Sequence, residues 1–98
     1  MAAELRIHPA ALHEIRSAVA WYRHRSQSAA AGFVGEIDEA IALIVASPDR
    51  WPWGTHNTRR FLLHRFPFVV VYRVAESAIE VLAVAHGHRR PGYWRSRL

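Results

Sequence analysis

Arg59-Arg60-Phe61-Leu62-Leu63-His64-Arg65, Phe68-Val69-Val70-Val71-Tyr72-Arg73-Val74 and Ala78-Ile79-Glu80-Val81-Leu82-Ala83-Val84-Ala85 are three apolar runs, separated only by Phe66-Pro67 and Ala75-Glu76-Ser77. Their length, their β-branched content and the breakers between them predict three consecutive strands joined by tight turns. Phe61 and Leu63 fall on one face of the first strand; Arg60, Leu62 and His64 fall on the other. Phe68–Tyr72 is nearly continuous in apolar residues, which predicts the central and most buried strand. In the third strand, alternation puts Ile79, Val81 and Ala83 on one face and Glu80, Leu82 and Val84 on the other.

Upstream, Leu5-Arg6-Ile7-His8 alternates apolar and polar and reads as a short first strand. Pro9 suits the first turn of a helix, where its missing N–H costs nothing. From Ala10 the period changes. Leu12, Ile15, Val19 and Tyr22 form one stripe with Ala11 and Ala18 beside it, and Arg16 and Arg23 lie off it. Arg25-Ser26-Gln27-Ser28 reads as a turn. A second helix is predicted over Ala29–Val45, with Phe33, Ile37, Ile41 and Ile44 inward and Glu36, Asp38 and Glu39 outward. Gly32 and Gly35 each lower helix propensity by about 1 kcal/mol against alanine, and read as points where the two helices approach closely. Ser47-Pro48 ends the helix. The loop Asp49–Thr58 carries Trp51 and Trp53, read as clamps that hold it on the core. The expected class is α+β in the order β-α-α-β-β-β. A small, twisted, mainly antiparallel sheet carries an αα-hairpin on one face, in a single domain over residues 1–98.

Composition narrows the function. The hydrophobic fraction is 51%, enough for a packed core and too high for a disordered basic peptide. The formal charge is +5 and the sequence pI about 11.0. All 13 basic residues are arginine, a residue that keeps its charge and grips carboxylate or phosphate through two parallel donors. The absence of cysteine excludes disulfides, thiolate catalysis and zinc sites that need sulfur. No apolar run is long enough to span a membrane, and Met1-Ala2-Ala3-Glu4 does not read as a signal peptide. A soluble cytoplasmic protein is expected.

After Ala85 the apolar signal stops and the chain reads His86-Gly87-His88-Arg89-Arg90-Pro91-Gly92-Tyr93-Trp94-Arg95-Ser96-Arg97-Leu98. Arginine, histidine and flat rings in one tail suit phosphates, bases or an acidic protein surface. His86 and His88 would face opposite sides of a continuing strand, and no carboxylate lies near them in sequence, so no metal or other cofactor is expected. There is no glycine-rich phosphate loop, nucleophile elbow or paired-carboxylate motif. A non-catalytic basic nucleic-acid-binding module is an alternative. It lacks an aromatic pattern on the central strand and a recognition helix with exposed arginines.

Several segments, taken in order, carry a resemblance. They are Pro9-Ala10-Ala11-Leu12-His13-Glu14-Ile15 with Trp21-Tyr22, and Ser47-Pro48 closing the second helix. Next come Arg60-Phe61-Leu62-Leu63 before Phe66-Pro67-Phe68-Val69-Val70-Val71-Tyr72-Arg73, then Val84-Ala85-His86 before Arg89-Arg90-Pro91-Gly92-Tyr93-Trp94. Over nearly the whole chain this resembles the ParE/RelE superfamily of bacterial toxins from type II toxin–antitoxin (plasmid stabilisation) systems. The resemblance implies one of two activities. RelE-like members cut messenger RNA on the ribosome; ParE-like members poison DNA gyrase and need no nuclease site. Both are held inactive by an antitoxin whose tail wraps the toxin.

The RelE pattern places lysines on the strand that here offers Arg60 and His64, with Leu62 between them. It places an arginine early in the central strand, where Phe68-Val69-Val70 stands and the first basic residue is Arg73. Arg89 matches the arginine after the last strand. Tyr93 lies closer to it than the pattern's tyrosine does. The resemblance therefore implies a ParE-like toxin that inhibits growth by binding DNA gyrase, with Arg73, Arg89, Arg90, Tyr93 and Trp94 as the target-binding surface. The alternative is a ribosome-dependent mRNA endonuclease. In it His86 or His88 and Tyr93 would move protons, and Arg60 and Arg89 would hold the phosphate. The implied partner is a cognate acidic antitoxin, and no membrane is involved.

Overall fold

The computed structural model describes residues 4–98; Met1–Ala3, read above against a signal peptide, lie outside them. β1 (Glu4–Ile7) passes through His8 into α1 (Pro9–Arg25), and α2 (Gln27–Ala46) follows after a single residue. A loop then leads into β2 (Arg59–Leu62), β3 (Phe68–Ala75) and β4 (Ala78–His86), and a 3-10 turn (Tyr93–Arg97) closes the chain. The sheet order is β1-β4-β3-β2. β2–β3 and β3–β4 are antiparallel, while β1 pairs parallel with β4. The α+β architecture with the expected element order is present, and among the described residues no helix is long and apolar enough to cross a membrane.

The turn expected over Arg25–Ser28 contracts to Ser26. Its N–H donates to the Tyr22 carbonyl at 2.8 Å, ending α1, and its Oγ accepts from the Ala29 N–H at 3.1 Å, starting α2. One extended residue thus caps two helices. Ser26→Ala is expected to cost about 1 kcal/mol in denaturant unfolding, and Ser26→Asp should recover most of it. His8, an unusual cap by preference, serves α1 through Nδ1, which accepts from the Ala10 N–H at 3.0 Å.

Phe33, buried on α2, sits among the rings of Tyr22, Phe66 and Phe68, with centroids 5.2–5.4 Å away. Val70, Tyr72, Ile79, Val81 and Val84 supply the sheet side of this core. On α1 the deepest residues are Ala11 and Ala18 rather than the larger stripe of Leu12, Ile15, Val19 and Tyr22. Small side chains bring α1 close to β4. Gly32 and Gly35 do not mediate helix contact. A Cβ at Gly32 would meet Arg65 and Phe66 at 3.5 Å, and one at Gly35 would meet open space.

Two expectations for the sheet change. β4, not β3, is the most buried strand, because helices cover one face and the C-terminal turn covers the other. Its alternation also breaks. Val71 pairs with Ala83 but Tyr72 with Val81, so Leu82 is an extra residue, a β-bulge. The bulge shifts the phase by one. Val84 joins Ile79 and Val81 in the helix-side core, and Ala83 joins Leu82 on the outer face.

Candidate functional site

The tail leaves β4 at His86 and folds back along the sheet's outer face. Gly87 N–H donates to the Pro67 carbonyl at 2.8 Å and Arg89 N–H to the His86 carbonyl at 3.0 Å. Gly92, at φ +74°, takes the left-handed turn that starts the last 3-10 segment, where a side chain would be strained. Trp94 then lies buried on Val71, Leu82 and Ala83. The outer face of the sheet over β3 and β4 is thus closed by the chain's own tail. Trp94, selected from sequence as a target-binding residue, is 6% exposed and packs as core, on the face opposite the helices.

Glu14 holds this tail in place. Its Oε1 accepts from Arg97 Nη1 (2.9 Å) and from the Val84 N–H (3.0 Å), and its Oε2 accepts from Arg97 Nη2 (3.0 Å) and the Tyr93 hydroxyl (2.6 Å). Arg97 also donates to the Leu82 carbonyl at 3.0 Å. β1 reaches only to Val81 of β4, so the strand's edge just beyond needs other partners, and one ion pair supplies them. Burial pushes the Glu14 carboxyl upward, but the bonds from Arg97, Tyr93 and Val84 and the Arg97 charge outweigh it and hold it below the usual range. Burial, then the bond to Glu14, pushes the Tyr93 phenol up to about 12. The Tyr93 hydroxyl is a committed donor, and the Arg89 guanidinium lies 3.9 Å from its ring centroid. Sequence reasoning gave Glu14 no role. Its signal was there: position 14 lies between Ala11 and Ala18, on the α1 face that meets the sheet.

A groove of about 450 Å³ runs between the tail and the sheet. Arg60, His86, Arg89, Arg90, Tyr93 and Trp94 all line it, so five of the sequence-selected residues meet there with the edge of the buried tryptophan. Arg89 and Arg90 are exposed and have no carboxylate partner among the described residues. Two selected residues stand apart. Arg73 lies across the sheet from Glu80, bonded to it at 2.9 Å, and faces a different cleft with Asp49, His56 and Arg59. His88 sits on the turn, with its ring stacked 5.1 Å from His86 and its N–H donating to His86 Nδ1.

The loop tryptophans divide. Trp51 packs on Phe61 at 4.5 Å as a clamp, whereas Trp53 is 63% exposed at the rim of the groove. The Arg59 guanidinium lies 3.7 Å from the Trp53 ring centroid and donates to the Asp49 and Trp51 carbonyls, so it braces an exposed ring. Trp53, expected as a clamp on the core, is instead an exposed ring.

Residues 5–91 match the family described as the ParE toxin of type II toxin-antitoxin system, parDE. The chain belongs to that family. Among curated proteins none matches it significantly in sequence. Among solved structures it is similar to a chain of one titled "Chromosomal ParDE TA system from P. aeruginosa", at 19% identity and a TM-score of 0.76. The match covers 86% of this chain and 95% of that one. The two share a fold at an identity that leaves most side chains different. In this ParE-family chain the family match ends at Pro91, before Tyr93 and Arg97, the two residues that bind Glu14.

Proposed function

We propose that this type II toxin, a single domain, inhibits growth by binding DNA gyrase and that a cognate acidic antitoxin neutralises it in the cytoplasm. The observation that carries the reading is the state of Tyr93. Its hydroxyl donates to Glu14 at 2.6 Å and its phenol is pushed up to about 12, so its proton is committed to a structural bond and it is a weaker acid than a free tyrosine. The sheet positions beside it, Val69 and Val71, bring no basic group to the groove. What remains is a surface for binding: the unpaired Arg89 and Arg90 beside the exposed Trp53, suited to an acidic or phosphate-bearing target. The same charge favours an acidic antitoxin.

The test pairs two assays on toxin freed of its antitoxin. Gyrase supercoiling should be blocked while messenger RNA on translating ribosomes stays intact. The Arg89→Ala/Arg90→Ala double variant should lose inhibition by about tenfold or more with an unchanged unfolding midpoint, since both side chains are exposed. Codon-phased messenger cleavage with gyrase untouched would overturn the reading in favour of the nuclease, with Arg60, His86 and Arg89 as the groups to replace. Association with the antitoxin should slow as salt rises toward 1 M; a rate independent of salt would remove the electrostatic part of this account.

A further inference from the structure

A second groove, of about 510 Å³, lies on the helix side of the tail and shares His86, Arg89 and Tyr93 with the first. Its size is in the range of small-molecule sites. One rim comes from α1, where His13, Ser17 and Trp21 recur every four residues and project together. The opposite rim is His86 and Arg89, and the floor is Ala18, Tyr22, Phe68 and Val84. Two of the four floor residues, Tyr22 and Phe68, are aromatic, with their rings inclined at 61° to each other, and hydrogen-bond donors gather at the mouth. Trp21 is 51% exposed, which is uncommon for a large ring without a partner. Arg25 lies 3.6 Å from its centroid and Tyr22 meets it edge-on at 5.0 Å, so the ring is held in place.

The charges at the mouth select an anion. Among the described residues Arg89 has no carboxylate partner, and its guanidinium stacks on Tyr93. His13 and His86 offer ring nitrogens, and Ser17 a hydroxyl 3.4 Å from the His13 ring. The one carboxylate lining the groove, Glu14, has both oxygens occupied and its charge paired with Arg97. It does not repel an anion as a free carboxylate would. We infer that this groove binds a nucleoside monophosphate, with the base on the aromatic floor beside Trp21 and the phosphate against Arg89, His86, His13 and Ser17. A free nucleotide and the phosphorylated end of a nucleic-acid strand present this same chemistry. The inference does not rest on the gyrase reading, because its α1 rim lies outside the surface assigned to that target.

The experiment is an NMR amide titration of the full chain with AMP, adenosine, inorganic phosphate and a 5′-phosphorylated RNA tetranucleotide. AMP should shift the amides of residues 13, 17, 21, 86 and 89. Adenosine and phosphate alone should each bind about tenfold more weakly or worse. Trp21→Ala and His13→Ala, both at exposed positions, should weaken AMP by about tenfold and leave gyrase inhibition unchanged, so this idea and the gyrase reading can fail separately. Arg60→Ala, on the other groove, should leave AMP affinity unchanged. Tighter binding of the tetranucleotide would assign the site to strand ends, and tighter binding of AMP to free nucleotide. Equal affinity for adenosine and AMP would overturn the inference. So would shifts confined to Trp53 and Arg60, no shifts at all, or an acidic peptide moving these amides where AMP does not.

Discussion

Trp94→Ala is expected to lower unfolding stability by about 3–5 kcal/mol, the range for removing a large buried ring. The indole covers Val71, Leu82 and Ala83, with His56 edge-on at 6.1 Å and Val69 and Tyr93 packed beside the cluster. Deleting it leaves a cavity over three residues that are at most 2% exposed. It also frees the tail that carries Arg89 and Arg90. Target binding should fall in step with the fraction unfolded and recover with Trp94→Phe, which refills most of the volume. Arg90→Ala should behave in the opposite way, with stability unchanged and binding reduced. If Trp94→Ala kept its unfolding midpoint while binding was lost, the ring would be a contact residue and its packing role secondary.

The second large effect belongs to Glu14. Glu14→Gln keeps the shape but removes the charge that pairs with Arg97, and one amide oxygen cannot serve the donors that two carboxylate oxygens serve. The Glu14 and Arg97 side chains are only 13% and 15% exposed. The loss should be about 3 kcal/mol, mostly the penalty of leaving Arg97 partly buried without a counter-charge. Glu14→Gln combined with Arg97→Met should be milder than the sum of the single changes. Stability should also depend on pH with a defined sign. The folded Glu14 carboxyl lies below its ordinary value of 4.5, so the folded state binds this proton less readily than the unfolded chain does. Its contribution is complete above the unfolded carboxyl range. It is lost as pH falls through that range and then through the depressed folded value. The stability gap between the native chain and Glu14→Gln should therefore be constant near neutral pH and shrink below about 4.5. A gap that stayed constant down to pH 2 would show that the carboxylate charge is not what holds the tail.

Much of the architecture was legible because it follows from local rules. Proline and serine set helix ends, and a period near 3.6 marks Phe33, Ile37 and Ile44. Alternation places Phe61 and Leu63 inside, and breakers separate three β-branched runs. The errors have one physical origin. A bulge at Leu82 looks in sequence like unbroken alternation, because its cause is the pairing partner on β3. A single capping serine looks like a longer turn, because neighbouring polar residues resemble it. Trp51 and Trp53 look alike, and only their surroundings put one on Phe61 and the other in solvent.

Composition and pattern alone determined a basic, cysteine-free α+β chain with a hairpin, a three-strand run and a tail of arginines and rings. Those properties depend on residue type and on neighbours within a few positions. Tertiary structure alone decided which of the selected residues are paired, buried or exposed. Among the described residues Arg89 and Arg90 have no carboxylate partner, and Arg73 is paired with Glu80. Tyr93 and Arg97 are tied to Glu14, some eighty residues earlier, and Trp94 is buried against the sheet. Pairing and burial over such distances depend on which surfaces the fold brings together, and no local period records them.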